Sequence, residues 1–423
     1  MNNGTTIAVP ESAGAAAEPG LARIIVLCAA GGFLDGYDLL IMGAALLLLV
    51  PDFHLKGAEI GMLTSLPFLA MAIGALTAGR LCDRFGRRTI YLFDVVLFLV
   101  FAILQALAQN LWQLGIMRFC VGFAIGMDMP TGSAMLAEYS PPGWRGALTT
   151  MLNTAWLVGG CVATLVGFVL YQTAGPGAWR WMFAAAAVPA VIVAVMRHSL
   201  PETPYWRRAA EPVAERPPAE RAGFAAVLGS RYRAPVLFFT IYWMVQAFAG
   251  GPPFIYTALI FNSVLHLKGA EALLLNAVLL AIYAALSLLF QFTLLERWGR
   301  KPFAALFCAL AGIGAIATSF LSGAGIGLVA AFSLFAVSTQ MSTIPFWPWS
   351  VEQLPTRVRA TGQSIGSAGG KVGLFAGIFL FSPPFIKSMG WMPYFVLVGA
   401  IFAALVLFVL VLGRETRATP LEA

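Results

Sequence analysis

The fold is decided by a stretch near the N terminus that reads Gly31-Gly32-Phe33-Leu34-Asp35-Gly36-Tyr37-Asp38-Leu39-Leu40-Ile41-Met42-Gly43. It places two carboxylates, three residues apart, inside an apolar run that extends from about Ile24 to Val50. Such a run is long enough for a membrane-spanning helix, and positions three apart share one helix face. Charged groups at that depth are costly, and they usually face a water-filled cavity that carries ions or substrate. The stretch therefore predicts a transport pathway through a membrane.

The composition of the whole chain agrees with a membrane protein. Of its 423 residues, 60% are hydrophobic and only 11% are charged, with a mean hydropathy of +0.83, whereas soluble proteins average about 25% charged residues. The five cysteines are scattered without the spacing of a metal site or a disulfide framework. The net charge of +7 could suggest nucleic acid, but the basic residues lie between apolar runs. We therefore expect a surrounding lipid bilayer, no nucleic acid, no metal and no cofactor.

Twelve apolar segments follow an N-terminal tail at residues 1–20, which we predict to be disordered and cytoplasmic. Their approximate limits are 24–50, 58–81, 89–108, 111–139, 147–172, 178–198, 233–263, 272–295, 302–322, 325–351, 361–385 and 390–413. A polar stretch at 199–231, rich in Pro, Glu and Arg, predicts a cytoplasmic linker. We expect an all-α membrane protein with six-helix halves at 21–198 and 232–413 and a cytoplasmic tail at 414–423.

The positive charges predict the orientation of these helices. Most of the 26 lysines and arginines lie in loops on the side that carries both termini, and Arg197 is counted there as a loop charge. Four lie in loops on the opposite side: Lys56, Arg180, Lys268 and Lys387. Loops rich in Lys and Arg stay in the cytoplasm. We therefore predict a multi-pass protein of the plasma or inner membrane with both termini cytoplasmic.

Short motifs recur in the two halves at an offset of 213 or 214 residues. The matches are Gly86-Arg87-Arg88 with Gly299-Arg300-Lys301, Glu138 and Arg145 with Glu352 and Arg359, and Leu200-Pro201-Glu202-Thr203 with Gly413-Arg414-Glu415-Thr416. Three matches at nearly one offset predict a parallel duplication of six helices. Transporters built in this way hold substrate near the membrane midplane between the halves and rock one half on the other.

The stretch Gly79-Arg80-Leu81-Cys82-Asp83-Arg84-Phe85-Gly86-Arg87-Arg88 resembles the loop 2–3 signature of the major facilitator superfamily. The resemblance covers the chain from about residue 21 onward. It implies the major facilitator fold and secondary active transport by alternating access.

Two branches of that superfamily share features with this chain. Resemblance to the sugar porters lies in Arg118-Phe119, Pro201-Glu202-Thr203-Pro204, Gln246 with Gly250, and Pro345 with Trp347 followed by Glu352. Resemblance to the aromatic acid/proton symporters lies in Asp35-Gly36-Tyr37-Asp38 and Gly126-Met127-Asp128-Met129-Pro130, although Asp128 stands where that family usually has a small residue. The chain resembles a metabolite/proton symporter whose substrate is an organic anion, such as an aromatic carboxylate or a sugar acid. A sugar symporter and a drug/proton antiporter are the alternatives.

Asp38 and Arg118 are the predicted proton-coupling pair. Both fall in the outer half of their helices, and a carboxylate relieves the cost of a buried arginine. The pair is either a static salt bridge or a site where the aspartate alternates between arginine-paired and protonated. The resemblance to proton-coupled sugar porters favours the second. Asp35, one turn nearer the cytoplasm, is a second proton site, a substrate contact or a group that shares a proton with Asp38.

Two further acids in the first half receive more modest interpretations. Asp128 precedes Pro130, which interrupts helical hydrogen bonding, so a polar kink is favoured over a proton exit step. Asp94 lies near the start of the third segment, and we expect it to pair with a loop arginine without a role in transport.

Lys371 is the predicted centre of the substrate site. It lies about ten residues into segment 11, at roughly 15 Å depth, which is too deep for easy snorkelling. Aromatic acid symporters tend to have an arginine at the matching place, so the resemblance implies an anion site. Lys371 either binds the carboxylate of an organic acid or pairs with Asp35 or another buried acid. The other predicted substrate contacts are Gln246, Tyr256, Trp347, Trp349, Asn153 and Asn276.

The motif Gly250-Gly251-Pro252-Pro253 predicts an interruption of segment 7 that suits a gate. A network on the cytoplasmic side is expected to hold the halves together when the protein faces outward. Topology alone would explain its arginines but not its acids. The predicted members are Gly79, Asp83, Arg84, Gly86, Arg87, Arg88, Glu138, Arg145, Glu202, Glu352 and Arg359.

Two other classes of membrane protein are disfavoured. An enzyme would need a metal cluster or a nucleophile–base pair, and the sequence shows neither, so we assign no catalytic residue. A receptor would not need two half-repeats that both carry charges. The expected partners are a small-molecule substrate and protons, and the expected state is a monomer.

Overall fold

The computed structural model describes residues 20–139, 145–198, 227, 229, 232–321, 325–354 and 356–417. The helices of the first half are α1 (Leu21–Asp52), α2 (Gly57–Phe85), α3 (Arg87–Ala106), α4 (Leu111–Tyr139), α5 (Arg145–Thr173), α6 (Ala178–Ala184) and α7 (Ala187–His198). The helices of the second half are α8 (Arg233–Ile255), α9 (Thr257–Val264), α10 (Gly269–Phe292), α11 (Leu294–Trp298), α12 (Arg300–Phe320), α13 (Ile326–Thr343), α14 (Phe346–Glu352), α15 (Thr356–Leu380), α16 (Pro383–Met389) and α17 (Trp391–Leu412).

These helices account for the twelve predicted segments. Ten of the described helical stretches are long and apolar enough to cross a membrane, and an eleventh is the pair α15 and α16, which are bent by 61°. The remaining segment is α4, which has 29 residues and carries Arg118 and Asp128. Helices α6 with α7, and α13 with α14, each form one span with a short break. The predicted all-α fold of two six-helix halves is confirmed.

The duplication is visible at the turn before the second spanning helix of each half. Residues 54–59 and 266–271 both read His-Leu-Lys-Gly-Ala-Glu. The histidine has positive φ in both copies, 50° at His54 and 54° at His266. In both copies the glutamate accepts the backbone N–H of the lysine, at 2.7 Å and 2.9 Å, which satisfies a free donor at the helix start. This repeat was not among the motifs used to predict the duplication.

The predicted match between Gly86 and Gly299 also has a conformational basis. Gly86 has φ of 88° and precedes α3, and Gly299 has φ of 94° and precedes α12. Glycine adopts this left-handed backbone without a steric penalty. The two copies of the motif therefore turn the chain into the next helix in the same way.

The two halves meet along two equivalent seams. Helix α5 packs against α10, and α2 packs against α15. The duplication relates α5 to α15 and α2 to α10, so the second seam repeats the first. Within the halves, α1 packs along α5 and α8 along α15. A space between the halves is enclosed by α1, α2, α4 and α5 on one side and by α8, α13, α14 and α15 on the other.

Glycines bring the backbones of α1 and α5 into direct contact. A Cβ added at Gly36 would meet the backbone of Trp156, and one added at Gly159 would meet the carbonyl oxygen of Phe33. Small residues are the usual means by which membrane helices approach closely. Helix α1, with its two aspartates, is therefore fixed on α5.

The predicted interruption of segment 7 is displaced from its proline pair. Helix α8 continues through 250–253 to Ile255, and the break falls at Tyr256. The prolines cannot donate to carbonyls one turn earlier, but the turn persists because the N–H of Tyr256 donates to the carbonyl of Pro252 at 3.0 Å. Pro130 likewise lies inside an uninterrupted α4, whereas Pro345 separates α13 from α14.

Several predictions fall outside the described part of the chain. Residues 1–19 and most of the predicted linker are among them, and so is Glu202. The surroundings of Gly79 and the side chains of Asp83, Arg84, Arg87, Glu138, Arg145 and Arg359 are outside it as well.

The contact of α1 with α5 generates a prediction about stability. Gly159→Ala should lower stability by about 1–3 kcal/mol, the usual cost of an added methyl group in a packed interior. Gly115→Ala is the control, because its Cβ would meet only the Leu66 side chain at 3.8 Å. Thermal unfolding of both variants in detergent checks this. A Tm of Gly159→Ala equal to that of Gly115→Ala would contradict the close contact.

Candidate functional site

A central cavity of about 80 Å³ lies between the two halves. Both halves contribute polar and aromatic side chains to its wall. These side chains are Asn153, Trp156, Trp243, Gln246, Phe254, Thr339, Gln340, Thr343, Trp347 and Lys371. Gly250 and Gly251 also line the cavity. Such a space suits a small ligand with an apolar body and a few polar groups.

Lys371 is the charged residue of the cavity wall. It is 7% exposed, and its Nζ lies 4.9 Å from the centroid of the Trp243 ring, a distance at which the ring stabilises a cation. No ion pair or hydrogen bond joins this ammonium group to another residue in the described ranges. The predicted alternative, an ion pair with Asp35, is therefore not formed in this structure. Gly370 leaves room for the Trp243 ring, because a Cβ at that position would contact the indole.

Three further hydrogen-bond donors of the cavity wall are without acceptors. Nδ2 of Asn153, Nε1 of Trp347 and the hydroxyl of Thr339 are buried and have no partner within the described part of the chain. Gln246 differs, because its amide nitrogen donates to the carbonyl oxygen of Thr339 at 2.9 Å and to the hydroxyl of Thr343 at 3.0 Å. An unmade hydrogen bond of a buried group is costly. The free donors therefore favour a ligand rich in acceptors.

A stacked aromatic pair joins the halves at the cavity. The rings of Trp156 in α5 and Phe254 in α8 lie 5.8 Å apart with an interplanar angle of 21°. Aromatic pairs of this kind contribute beyond the burial of their area. The cavity therefore offers flat ring faces close to a cation.

Three of the predicted substrate contacts lie away from the cavity. The hydroxyl of Tyr256 hydrogen-bonds that of Thr64 at 2.6 Å and donates to the carbonyl oxygen of Ile378 at 3.2 Å, which ties the α8–α9 break to α2 and α15. Trp349 donates its indole N–H to the carbonyl oxygen of Arg414 at 3.0 Å. Asn276 is half-buried in α10 and does not line the cavity.

Trp243 and Trp156, by contrast, were not predicted as contacts. Trp243 precedes Gln246 by one helical turn, so helix periodicity could have placed it on the same face. Trp156 follows Asn153 by the same spacing.

Asp38 and Arg118 form a buried ion pair behind the cavity wall. Their side chains are 0% and 1% exposed, and Arg118 Nη1 lies 2.9 Å from Asp38 Oδ2. Gln105 closes a ring of three groups, since its amide donates to Asp38 Oδ1 at 3.2 Å and accepts from Arg118 at 3.1 Å. Gln105 was missed because it stands near the end of α3, where a polar residue suggests a loop. The structure brings the two predicted partners together.

A second charged cluster lies nearer the predicted cytoplasmic side. Arg197 donates to Asp94 Oδ1 at 2.8 Å and also pairs with Asp128. Asp35 lines the same small cavity as these three residues. The pairing of Asp94 with an arginine agrees with expectation. The interpretation of Arg197 as a loop charge is wrong, because its side chain turns back between α3 and α4 and is 1% exposed. Two carboxylates compensate this burial.

The described charges on the predicted cytoplasmic side form a network within the second half. Arg300 in α12 pairs with Glu352 at 2.6 Å and with Glu296 at 3.0 Å. Burial raises the pKa of Glu352, although the guanidinium of Arg300 opposes the shift. The hydroxyl of Thr416 also donates to Glu352. These contacts of Glu352 stay inside one half and do not bridge to the other.

The chain after α17 is anchored to the same network. Glu415 accepts the backbone N–H groups of Arg300 and Lys301 at 3.0 Å and 2.9 Å. Burial alone would raise the pKa of Glu415, but these N–H donors hold it below its usual value. In the first half, Arg88 donates to the carbonyl oxygen of His198 at 3.0 Å. Each half thus ties its end to the start of its third spanning helix.

Repeated six-helix halves around a buried central cavity define a membrane transporter. The chain belongs to the Major Facilitator Superfamily, whose family model matches residues 28–378. It is a multi-pass membrane protein that transports metabolites and is not an enzyme.

Similar proteins include transporters of different substrates. The niacin transporter NiaP of Acinetobacter baylyi is 28% identical over 93% of this chain and 93% of its own length. The inner membrane metabolite transport protein YgcS of Escherichia coli is 28% identical over 95% of this chain and 93% of its own. The solved structure of the proton:xylose symporter XylE bound to 6-bromo-6-deoxy-D-glucose superimposes with a TM-score of 0.81 at 19% identity, covering 95% of this chain and 97% of that chain. At that identity the likeness to XylE concerns the fold.

The ion pair of Asp38 with Arg118 predicts that substitutions of these two residues have non-additive effects on the stability of the protein. Asp38→Ala and Arg118→Met should each lower stability by about 3–5 kcal/mol, because each leaves an uncompensated buried charge. The double variant should cost less than the sum of the two. A double-mutant cycle of thermal unfolding in detergent measures the difference. Additive losses would contradict a direct interaction between the side chains.

Proposed function

We propose that the protein is a proton-coupled symporter of small organic anions, with aromatic monocarboxylates as the substrate class. It works as a monomer in the inner membrane, with both termini in the cytoplasm, by alternating access of the central cavity. The observation that carries the proposal is the buried ammonium group of Lys371, which lines the cavity without an ion-pair partner among the described residues.

The charge of the cavity favours an anion. A buried cation without a counterion is costly, and a ligand carboxylate removes that cost. The free N–H donors of Asn153 and Trp347 also need acceptors, and a carboxylate has two oxygens and no donor when it is ionised. A monocarboxylate thus matches the surplus of donors better than a neutral ligand does.

The aromatic side chains favour a flat ring as the body of that ligand. Trp243 lies under Lys371, and the stacked pair of Trp156 and Phe254 stands in the same wall. A ring between such faces buries apolar surface at little cost in conformational entropy. The similarity to a niacin transporter supports the same substrate class.

Asp38 is the proposed proton carrier. Its carboxylate is held by Arg118 and Gln105 in the observed state. A movement of α4 relative to α1 that weakened this pairing would leave the carboxylate desolvated, and desolvation without a cation favours the protonated form. Uptake of an anion together with protons would then be driven by the proton gradient.

A sugar symporter is the second candidate. Thr339, Gln340, Thr343 and Gln246 place hydroxyl and amide groups along one wall of the cavity, and sugars need such groups. Lys371 would have no function toward a neutral sugar, so we prefer the anion.

The predicted cytoplasmic network is proposed to stabilise the outward-facing state, with Arg300 as a further member.

The substrate class can be tested with two ligands that differ in charge. Nicotinate and nicotinamide share one ring, and only nicotinate carries a carboxylate. In proteoliposomes, Lys371→Gln should raise the KM for nicotinate by about 10- to 100-fold, because a charged hydrogen bond contributes roughly 1.5–3 kcal/mol. Benzoate and benzamide form a second pair of the same kind, and the KM for benzoate should rise by the same factor. Lys387→Gln is the control, because that lysine is exposed on α16. Unchanged KM in Lys371→Gln, or uptake of D-xylose but of neither acid, would reject the anion proposal.

Coupling is tested by separating accumulation from exchange. Asp38→Asn should abolish proton-driven accumulation of the acid while counterflow exchange of labelled for unlabelled substrate persists, because exchange needs no net proton movement. Asp35→Asn is made alongside it. Accumulation by Asp38→Asn at the wild-type level would rule out Asp38 as the carrier, and a reversal of the two phenotypes would assign the proton to Asp35.

A further inference from the structure

The first half contains a charged cluster that the proposed transport cycle does not use. We call it the inner acidic cluster, and it consists of Asp35, Asp94, Asp128 and Arg197. The four residues come from α1, α3, α4 and α7 and line a cavity of about 10 Å³. A cavity needs about 10–15 Å³ to hold one water molecule. The cluster therefore borders a space the size of a single water.

The carboxyl groups of the cluster outnumber its cations. Arg197 is the one cation within it, and it pairs with both Asp94 and Asp128. Asp35 has no ion pair within the described ranges. If all three acids were ionised, the cluster would carry a net charge of −2 in a region without bulk water. Isolated buried charges of this kind are neutralised by protonation rather than tolerated.

Two carboxylate oxygens in the cluster are buried without a hydrogen-bond donor in the described part of the chain. Oδ2 of Asp35 and Oδ2 of Asp94 are buried, and no N–H or O–H donor of the described residues reaches them. Asp94 and Asp128 pair with different nitrogens of the same guanidinium group, that of Arg197. One cation thus holds two carboxyl groups, and the second negative charge among them favours a shared proton.

The other titratable groups around the cluster do not supply the missing positive charge. Tyr91 stacks on Arg197, whose guanidinium carbon lies 3.4 Å from the ring centroid. Cys28 is a buried thiol on the same side of α1. Lys371, across the interface in α15, attracts Asp35 from beyond ion-pair distance. Even when Lys371 is counted, three acids face two cations.

Helix α1 is packed directly on the cluster. A Cβ at Gly31 would meet both Arg197 Nη2 and Asp128 Oδ2, so a larger residue there would displace the paired groups. Asp35 follows Gly31 by one helical turn and thus lies on the same face of α1. Asp35 therefore lines the same cavity as the paired acids, and one water molecule in that cavity could bridge them.

From this arrangement we propose that the inner acidic cluster is a second protonation site, separate from Asp38 and Arg118. At neutral pH it holds one exchangeable proton, shared among Asp35, Asp94 and Asp128. A proton suits the site better than a metal ion, because no group of three or more His, Cys, Asp or Glu in the described part of the chain has metal-binding geometry. The proposal goes beyond the proposed function, since it holds whatever the transported substrate is.

Infrared spectroscopy tests this site without substrate. A protonated carboxyl group has a C=O stretching band that carboxylates lack, and an exchangeable proton shifts the band in D₂O. Spectra are recorded at neutral pH in H₂O and D₂O, in a maltoside detergent, which has no carbonyl group of its own. Wild type and Asp38→Asn should both show the band. Asp35→Asn/Asp94→Asn should lose it, because Asp128 and Arg197 then remain as a neutral ion pair.

Glu271→Gln, which changes an exposed acid at the start of α10, is the matched control and should leave the band intact. A wild type without the band at neutral pH would overturn the proposal, and so would a band lost in Asp38→Asn but kept in the double variant. If the double variant does not fold, the single variants Asp35→Asn and Asp94→Asn decide. Each must weaken or shift the band, and an unchanged band in either of them overturns the proposal.

The outcome is independent of transport. Absence of nicotinate or benzoate uptake with the band present would reject the proposed substrate class and leave the second protonation site in place. Uptake of either acid with the band absent would reject the second protonation site and leave the proposed substrate class in place.

Discussion

The cost of placing charge in a medium of low dielectric constant is the constraint on which this structure depends. The helices that the structure describes contain three buried charged centres, and these differ in their balance of charge. Asp38 and Arg118 balance each other. The inner acidic cluster has more acids than cations, and Lys371 is a cation without an ion pair in the described chain. Because an unbalanced centre must acquire its missing charge from elsewhere, acid surplus favours a proton and cation surplus favours an anionic ligand.

The positions of these charges are fixed by close contacts between helix backbones. Gly36 and Gly159 hold α1 against α5, and Gly373 and Gly377 hold α15 against the backbone of α8. Larger residues at these places would force the helices apart and displace the aspartates of α1 and Lys371 of α15. A precise charge arrangement therefore rests on residues that carry no functional group at all. This is one physical reason why glycine is so frequent among membrane helices that form binding sites.

The sequence allowed the helices, their repeat and the pairing of Asp38 with Arg118 to be predicted, because these follow from apolar run length and from the cost of an isolated buried charge. It did not reveal which faces of the helices line the cavity. Tyr256 and Trp349 had the right chemistry, but helix breaks at 256 and 344–345 rotate them into other contacts. Arg197 was misplaced because a last-turn arginine can equally extend into a loop or fold back to meet acids, and this choice depends on tertiary contacts.

The hydrogen bonds that join the halves have a consequence for the energy needed to open the transporter. Thr64 in α2 bonds Tyr256 at the α8–α9 break on the predicted outer side, and Thr154 in α5 bonds Ser287 in α10, at 3.2 Å, on the predicted cytoplasmic side. A neutral hydrogen bond contributes only about 0.5–1.5 kcal/mol. Rocking that opens the cavity toward one side of the membrane would break the bond on that side and leave the other in place. Because each bond is weak, neither of them alone would hold the transporter in one state.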